Sequence, residues 1–184
     1  GVSGYDADAT VSKPRFALRL ARPFLKVLRT YPSVPASLLD PMEQMDPDDR
    51  IPAETMQEML RGAVALTGDP HLGLKAARAV DPGEYGVLEY MARSAPNVRG
   101  AIEVAGRYLK LLNDAMVFEL SVEADTATLK LQSSIPEPPT AEAFGVAAFY
   151  LSITRMSAGA ERPEAEVCFK HGRPDDVSEY EGVF

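Results

Sequence analysis

Apolar residues recur at intervals of three and four along residues 51–113, and this period is typical of helices with one buried face. The first predicted helix opens at Ile51 and continues to Leu66. Gly68 follows it and suits the left-handed backbone position just past a helix end. Asp69 can then cap a second helix that has a proline at its first position. We therefore expect a helical core.

Two further helices are predicted after the proline–glycine break at Pro82. The apolar stripe expected to be buried on the first of them consists of Val87, Leu88, Tyr90 and Met91. Asn97 is the predicted cap of the second helix. The apolar positions of that helix are Ala101, Ile102, Ala105, Tyr108, Leu109 and Leu112.

Residues 14–30 also show helical spacing, and Pro23 within this pattern should either start a new helix at Arg22 or kink one. The segment has a basic face formed by Arg15, Arg19, Arg22, Lys26 and Arg29. A solvated surface is the preferred interpretation, since charge runs usually are solvated. The alternative is contact with an acidic partner, or with DNA beside a separate reader domain. A short helix at residues 36–42 and a turn capped by Asp46 follow.

The hydrophobic period changes to two residues after Asn113. Residues 116–122 alternate, a turn follows, and residues 126–133 alternate again, which predicts an antiparallel hairpin. Residues 164–170 show the same alternation and predict a third strand.

A long helix is predicted between the hairpin and that strand, from Thr140 to Ala158, and Gly159 ends it. Its apolar residues lie on more than one side, so it is the candidate surface for a partner. Asp175 is the expected cap of a final helix. The order of elements predicts an α+β fold, in which a helical N-terminal two-thirds packs with a small antiparallel sheet (the hairpin plus the third strand) and the long helix.

The composition is 46% apolar and 25% charged over 184 residues, which supports one globular domain. The net charge of −8 disfavours direct contact with nucleic-acid phosphates. The single cysteine excludes an internal disulfide and a zinc set. No apolar run approaches the roughly 20 residues that span a bilayer, and no secretory leader is evident. We therefore expect a cytoplasmic protein that makes no membrane contact.

Short motifs appear in a fixed order along the chain. They are residues 46–52 (DPDDRIP), 69–74 (DPHLGL), 86–88 (GVL) and 94–96 (SAP), the helix at 101–112, the long helix around Phe144, and the 166–171 segment with Pro174. Together they resemble the N-terminal effector domain of a subgroup of AraC-type transcription regulators, over residues 14–184. The resemblance implies that a small effector or a dimer contact changes how a DNA-reading domain docks.

In the resembled family two helix-turn-helix motifs follow this domain, and no helix pair with a basic recognition helix is found here. We therefore expect residues 14–184 to be a single effector-sensing domain, truncated before the DNA-binding domain. Residues 1–13 are expected to be a loose terminus or an appended segment. The expected partners are a small-molecule effector of unknown class and a second copy of the chain, with DNA contacted only through the missing domain. No cofactor is expected.

No catalytic constellation is evident, so we predict no enzymatic activity. Cys168 is interpreted as a structural thiol that faces either the core or the solvent. His171 is interpreted as a turn residue with one hydrogen bond, and its alternatives are assistance to Cys168 or ligation of a haem iron. His71 is expected to be exposed. The acidic residues near the third strand are interpreted as solvated surface: Glu161, Glu164 and Glu166.

Binding is the predicted role, and a small-molecule site needs apolar and aromatic walls with a few polar groups. The candidates are Tyr85, Tyr90, Arg93, Tyr108, Phe118, Phe144, Tyr150 and Arg155. From these we predict a ligand-binding set of Tyr90, Arg93, Tyr108, Phe118, Phe144 and Tyr150. Arg93 could hold a carboxylate by its fork or lie at the surface. Tyr90 and Tyr108 lie on predicted apolar stripes, where ordinary core packing is the alternative.

The class of ligand stays open. The family name suggests a sugar, but the chain has no tryptophan to serve as a stacking platform. A second hypothesis is a stand-alone sensor that captures a hydrophobic or haem-like ligand between the helices and the sheet.

Overall fold

The computed structural model describes residues 12–157 and 164–184. Within these ranges the helices are α1 (Arg22–Leu28), α2 (Ala36–Glu43), α3 (Ala53–Thr67), α4 (Leu72–Arg78), α5 (Val87–Arg93), α6 (Val98–Tyr108), α7 (Pro139–Met156) and α8 (Ser178–Glu181). Single 3₁₀ turns at Leu18–Leu20 and Leu109–Leu111 precede α1 and follow α6. None of the helices in these ranges is both long enough and apolar enough to cross a membrane.

The strands form two small antiparallel sheets. They are β1 (Arg15–Ala17), β2 (Arg50–Pro52), β3 (Met116–Glu123) and β4 (Thr126–Ser133). Strand β1 pairs with β2, and β3 pairs with β4 in a hairpin whose register runs from Met116 opposite Ser133 to Glu123 opposite Thr126. The fold is α+β, which confirms the predicted class and the predicted hairpin.

Helix α4 is central to the main core, where it packs on α1 and α7. Leu72 and Leu74 of α4 are completely buried, each at 0% exposure. Beside them the rings of Phe24 and Phe144 lie with their centroids 4.9 Å apart. Full burial of one such side chain contributes about 1.5–3 kcal/mol, so this contact among α1, α4 and α7 is a principal source of stability.

Several helix ends lie where the sequence predicts them. Gly68 adopts a left-handed conformation with φ of +67° after α3. Asn97 caps α6, because its side-chain oxygen accepts a hydrogen bond from the N–H of Gly100 at 2.8 Å. Helix α1 begins at Arg22 with Pro23 in its first turn, so the proline starts a helix rather than kinking one.

The helical spacing in residues 15–17 is misleading, because this segment is strand β1. Phe16 pairs with Ile51 of β2, and the N–H of Ala17 donates to the carbonyl of Leu112 at 2.8 Å. These partners lie far away in the chain, so local periodicity could not reveal them.

The predicted third strand is wrong, since residues 164–170 have no strand partner in the described parts of the chain. The N–H of Lys170 donates instead to the side-chain carboxylate of Glu142 at 2.6 Å. Phe169 packs edge-on against the ring of Tyr180, with centroids 5.2 Å apart. The alternating pattern therefore reflects one-sided packing of an irregular segment against α7 and α8.

Three predicted helix starts also need correction. The predicted opening at Ile51 belongs to strand β2, and α3 begins at Ala53. Helix α4 begins at Leu72, and the carboxylate of Asp69 accepts from the N–H of His71 at 2.8 Å in the preceding turn. Asp176 rather than Asp175 accepts from the first N–H of α8, that of Ser178, at 2.9 Å. The described part of α7 ends at Met156, and three predicted features lie outside the described residues: Ala158, Gly159 and Glu161.

Three of the five residues of the basic face near the amino end are paired with carboxylates of the same chain. The contacts of this face are Arg15 with the carbonyl of Arg50, Arg19 with Asp48, Lys26 with Asp81, and Arg29 with Asp40 and Glu43. This pairing reduces the positive charge that the face offers to phosphates and agrees with the interpretation as a solvated surface.

Candidate functional site

A partly open cavity of about 560 Å³ lies between the α5–α6 pair and α7. This volume is within the range of about 300–1,000 Å³ that is usual for small-molecule sites. Its large apolar wall residues are Leu20, Phe24, Leu60, Leu88, Ile102, Leu112, Phe144 and Ile153. The walls therefore favour a ligand with a substantial apolar body.

The cavity exists because small residues face it from both sides. Helix α7 packs mainly on α4, whereas α5 packs on α6. The short side chains that line the space from α6 and α7 are Ala101, Ala105, Ala141, Gly145 and Ala148. Side chains of this size cannot fill the distance between two helices that have other principal packing partners, so apolar volume remains between them.

Tyr85 is a polar residue of the wall that has a buried hydroxyl. It lies in a turn between Gly83 and Gly86, whose positive φ angles of +88° and +61° suit glycine. Among the described residues, its hydroxyl has no hydrogen-bond partner. Burial raises the pKa of Tyr85 well above its usual range, although the positive charge of Arg155 acts in the opposite direction. The hydroxyl is therefore neutral and able to donate a hydrogen bond at physiological pH.

The two arginines of the wall differ in how their charge is balanced. Arg93 forms an ion pair with Glu89 at 3.1 Å, and Glu89 also accepts from the N–H of Gly83 at 2.8 Å. Arg155 donates to the neutral carbonyl of Val80 at 3.2 Å and pairs with no carboxylate in the described ranges. The charge of Arg155 is thus the less compensated of the two.

Glu137 lines the cavity just before α7 begins. Burial raises the pKa of its carboxyl, and the nearby charge of Glu142 acts in the same direction, while Lys170 opposes them. An acidic group in this position disfavours the anionic part of a ligand at this end of the cavity.

The structure brings only part of the predicted ligand set to the cavity. Arg93 and Phe144 line it. Phe118 instead packs on the ring of Phe149, with centroids 4.9 Å apart, and Tyr150 packs on Phe184 at 5.1 Å.

Tyr90 and Tyr108 do not occupy the buried stripes on which their prediction depended. Tyr90 is 73% exposed and Tyr108 is 38% exposed. On α5 only Leu88 is buried, since Val87 is 60% exposed as well. The predicted stripe on α5 is therefore wrong at Val87 and Tyr90, while Leu88 is buried and Met91 is half-buried, because this helix buries a narrow face against α6 and the cavity.

Sequence reasoning missed or undervalued several wall groups. Tyr85 and Arg155 are binding candidates that the predicted ligand set omits, and Glu89 and Glu137 are not among the candidates. Two closely spaced glycines around Tyr85 were the available signal, since they indicate a tight turn that can direct an aromatic side chain inward. No local pattern indicated the two glutamates.

A polar cluster joins the carboxyl-terminal segment to the cavity helix. The Nδ1 atom of His171 lies 2.9 Å from the carboxylate of Glu142 on α7, and its Nε2 atom lies 2.9 Å from the hydroxyl of Tyr180. His71 is half-buried rather than exposed, and its ring packs edge-on against Tyr180 at 5.8 Å. Both ring nitrogens of His171 are thus engaged by protein groups, so it makes one contact more than predicted.

No catalytic arrangement is assembled by the residues that the structure describes. Cys168 is exposed, and its Sγ atom lies 3.8 Å from the Glu166 carboxylate. This contact is a pair of side chains at the protein surface. Within the same ranges no group of three or more histidine, cysteine or acidic residues is placed to hold a metal ion. The arrangement that stands out is an apolar cavity with an isolated hydroxyl and a guanidinium at its wall.

Comparison with known families agrees with a binding role. A family model described as the arabinose-binding domain of AraC transcription regulators, N-terminal, matches residues 32–184. The chain belongs to this family. The AraC-type resemblance is thereby confirmed, although the matched range begins at residue 32 rather than at residue 14. The family is one of regulatory, effector-binding domains and is not a class of enzymes.

An individual relative of this AraC-type domain is an ornithine utilization regulator from Pseudomonas aeruginosa. It is 28% identical over 140 residues, which cover 75% of this chain and 41% of that protein. The chain thus spans about two fifths of the length of this relative.

Proposed function

We propose that this AraC-type domain binds a small effector in the cavity between α5, α6 and α7 and reports its presence to a DNA-binding domain of the same protein. The observation that carries the proposal is a mostly apolar space of about 560 Å³ with few polar groups at its wall. In this proposal a helix-turn-helix domain follows residue 184 in the full-length protein. The protein then acts on DNA in the bacterial cytoplasm.

Helix α7 is the element that can transmit the signal. It contributes Phe144 and Ala148 to the cavity wall, and its Glu142 accepts from the N–H of Lys170 at 2.6 Å and contacts His171 at 2.9 Å. An effector that favours one position of α7 therefore also favours one position of residues 164–184. The shift requires that the effector bind one arrangement more tightly than the other, because equal affinity shifts nothing.

Dimerisation is part of the same proposal, but α7 is a less suitable surface than its sequence suggests. Its apolar sides pack on α4 and line the cavity, so they are used within the chain. The β3–β4 hairpin is a better candidate, since each strand has one outer edge without a strand neighbour among the described residues. Light scattering well above micromolar concentration tests this part, and the mass of a single chain would contradict it.

A stand-alone sensor for a hydrophobic ligand is the second candidate, and the same cavity supports it. The haem version has less support, because both ring nitrogens of His171 already contact protein groups. The two candidates differ in the full-length protein: a regulator changes its affinity for promoter DNA when the effector binds, and a stand-alone sensor does not.

A thermal-shift panel tests the site directly. The panel contains aliphatic and aromatic carboxylates, sugars and amino acids, with ornithine included because of the relative described above. A ligand that binds only the folded protein raises the melting temperature. We expect the strongest effect from compounds with an apolar body, because a polar amino acid or sugar gains little from apolar walls.

A matched pair of variants shows whether a stabilising compound occupies the cavity. Ala105→Leu fills part of the cavity, whereas Ala65→Leu makes the same change on the exposed face of α3. The melting-temperature increase should disappear in the first variant and persist in the second. If the panel has no effect, or if Ala105→Leu responds like the unmodified protein, effector binding in this cavity is refuted.

A further inference from the structure

We infer that Tyr85 and Arg155 form the polar end of the cavity and that the effector is a monocarboxylate with an extended apolar body. This inference rests on the proposed effector-binding function and names the class of ligand for the same site.

The first argument is the hydroxyl of Tyr85. It is enclosed by protein and has no hydrogen-bond partner among the described residues. Buried donors without a partner are rare, because such a group loses its bonds to water and gains none in return. Tyr85 lies in a turn, and it is one of the residues that line the cavity. An oxygen acceptor on a ligand would supply the missing partner.

The second argument is the charge at this end of the cavity. Arg155 and Tyr85 both line the cavity, and the charge of Arg155 lowers the pKa of the phenol, whereas the charges of Glu89 and Glu84 raise it. In the described residues the only hydrogen bond of Arg155 is to the carbonyl of Val80, whereas Arg93 is paired with Glu89. A guanidinium that lacks a carboxylate partner favours an anionic acceptor, and its fork matches the two oxygens of a carboxylate.

The third argument is the shape of the cavity. The lining positions of α7 form one stripe along a single face of the helix: Ala141, Phe144, Gly145, Ala148, Phe149, Ser152, Ile153, Arg155 and Met156. At about 1.5 Å of rise per residue, this stripe extends over roughly 20 Å. Glu137 lies before the start of the stripe and Arg155 near its end, while the other wall carboxylate, that of Glu89, is paired with Arg93. An extended apolar body with its carboxylate near Arg155 fits both the length and the charges.

Calorimetric titration with decanoate below its micelle concentration tests the role of Tyr85. We expect Tyr85→Phe to weaken decanoate binding by about tenfold to a hundredfold, because it removes a hydrogen bond to a charged acceptor. The control Tyr90→Phe makes the same change at a tyrosine that is 73% exposed, and its affinity should be unchanged. Without ligand, Tyr85→Phe should melt at the same temperature as the unmodified protein or higher, since no partner is lost.

The role of Arg155 is tested by selectivity. The unmodified protein should bind decanoate more tightly than decanol, which has the same apolar body without the charge. Arg155→Met keeps an apolar stem and should abolish this preference. Arg99→Met, at an exposed position on α6, should preserve it.

The outcomes separate this inference from the proposed function. If decanoate fails to bind, if Tyr85→Phe binds it as tightly as Tyr90→Phe, or if Tyr85→Phe lowers the melting temperature, the inference is overturned. The proposed function survives such a result when another compound of the panel binds the unmodified protein and is excluded by Ala105→Leu. The proposed function fails when no compound of the panel stabilises the unmodified protein and loses this effect in Ala105→Leu.

Discussion

The backbone of Gly73 approaches the carbonyl oxygen of Thr140 so closely that a Cβ atom on Gly73 would lie 2.1 Å from that oxygen. This contact is where α4 crosses α7. It sets the distance between the two helices, and through α7 it sets one wall of the cavity. A side chain at Gly73 would have to displace the backbone of α7 at Thr140 and Phe144, because the atoms nearest to it belong to that backbone and not to a flexible side chain that could move aside.

Gly73→Ala is therefore expected to destabilise the protein by about 2 kcal/mol or more, which is the usual cost of overpacking a core. Urea unfolding measures the change. Gly62→Ala is the matched control, since a Cβ at Gly62 meets nothing within 4 Å. In the middle of α3 that change should stabilise the protein by up to about 1 kcal/mol. Equal effects of the two substitutions would contradict the close crossing.

The ion cluster before α4 leads to a second prediction. The carboxylate of Asp69 accepts from Lys75 at 2.6 Å, from the N–H of His71 at 2.8 Å and from the hydroxyl of Tyr31. Burial opposes ionisation of Asp69, but these hydrogen bonds outweigh it and hold its pKa below the usual value. Asp69→Asn should lower the free energy of unfolding by about 1–3 kcal/mol at neutral pH.

The control for this substitution is Asp125→Asn in the exposed turn of the hairpin, which should have little effect. Denaturant unfolding of both variants at pH 7 makes the comparison. A loss as large in the control as in Asp69→Asn would mean that the three hydrogen bonds of Asp69 contribute nothing.

The attachment of the carboxyl-terminal segment should depend on pH. Burial works against ionisation of Glu142, but hydrogen bonds from the Lys170 N–H and from His171 more than offset it, so its pKa is lowered. A lowered pKa means that the ionised group stabilises the folded state above the ordinary glutamate pKa of about 4.3. That contribution is lost as the pH falls through the lower folded-state pKa.

Glu142→Gln removes the charge and one of two acceptors, so it should lower the free energy of unfolding by about 1 kcal/mol near pH 6. The difference from the unmodified protein should shrink below about pH 4 as the carboxylate of the latter becomes protonated. Hydrogen exchange in residues 164–184 should also accelerate in this variant. Glu119→Gln, at an exposed position of β3, is the control and should change neither quantity.

Cys168 provides a direct check on the corrected carboxyl-terminal segment. It is the only cysteine of the chain and it is exposed. A thiol reagent should therefore label the folded protein without denaturant, at a rate close to that of the unfolded chain. Cys168→Ser supplies the blank. Labelling that requires denaturant would place this thiol in the core instead.

Much of the local structure could be predicted from the sequence because it depends on neighbours in the chain. The glycine at position 68, the cap at Asn97 and the β3–β4 hairpin follow from steric and hydrogen-bonding preferences within a few residues. The errors occurred where a distant partner intervened. Phe16 became a strand residue through Ile51, and the N–H of Lys170 is occupied by Glu142 rather than by another strand.

The candidate site was predicted only in part for a related reason. Arg93 and Phe144 line the cavity, whereas Tyr90 and Tyr108 have exposed side chains. Helical periodicity indicates that a helix has an apolar face, but it does not indicate how much of that face another element covers. The isolated hydroxyl of Tyr85 could not be foreseen, because the lack of a hydrogen-bond partner depends on every residue around it.

The sequence by itself determined the α+β class, the presence of most helices, the hairpin and the likeness to AraC-type regulatory domains, because these depend on residue order and short-range chemistry. Only the tertiary structure decided that a cavity exists and which side chains surround it. The physical reason is that a cavity is the volume left between elements. That volume depends on the distance between α6 and α7, which the crossing of α4 and α7 at Gly73 helps to set. No local sequence pattern predicts this distance.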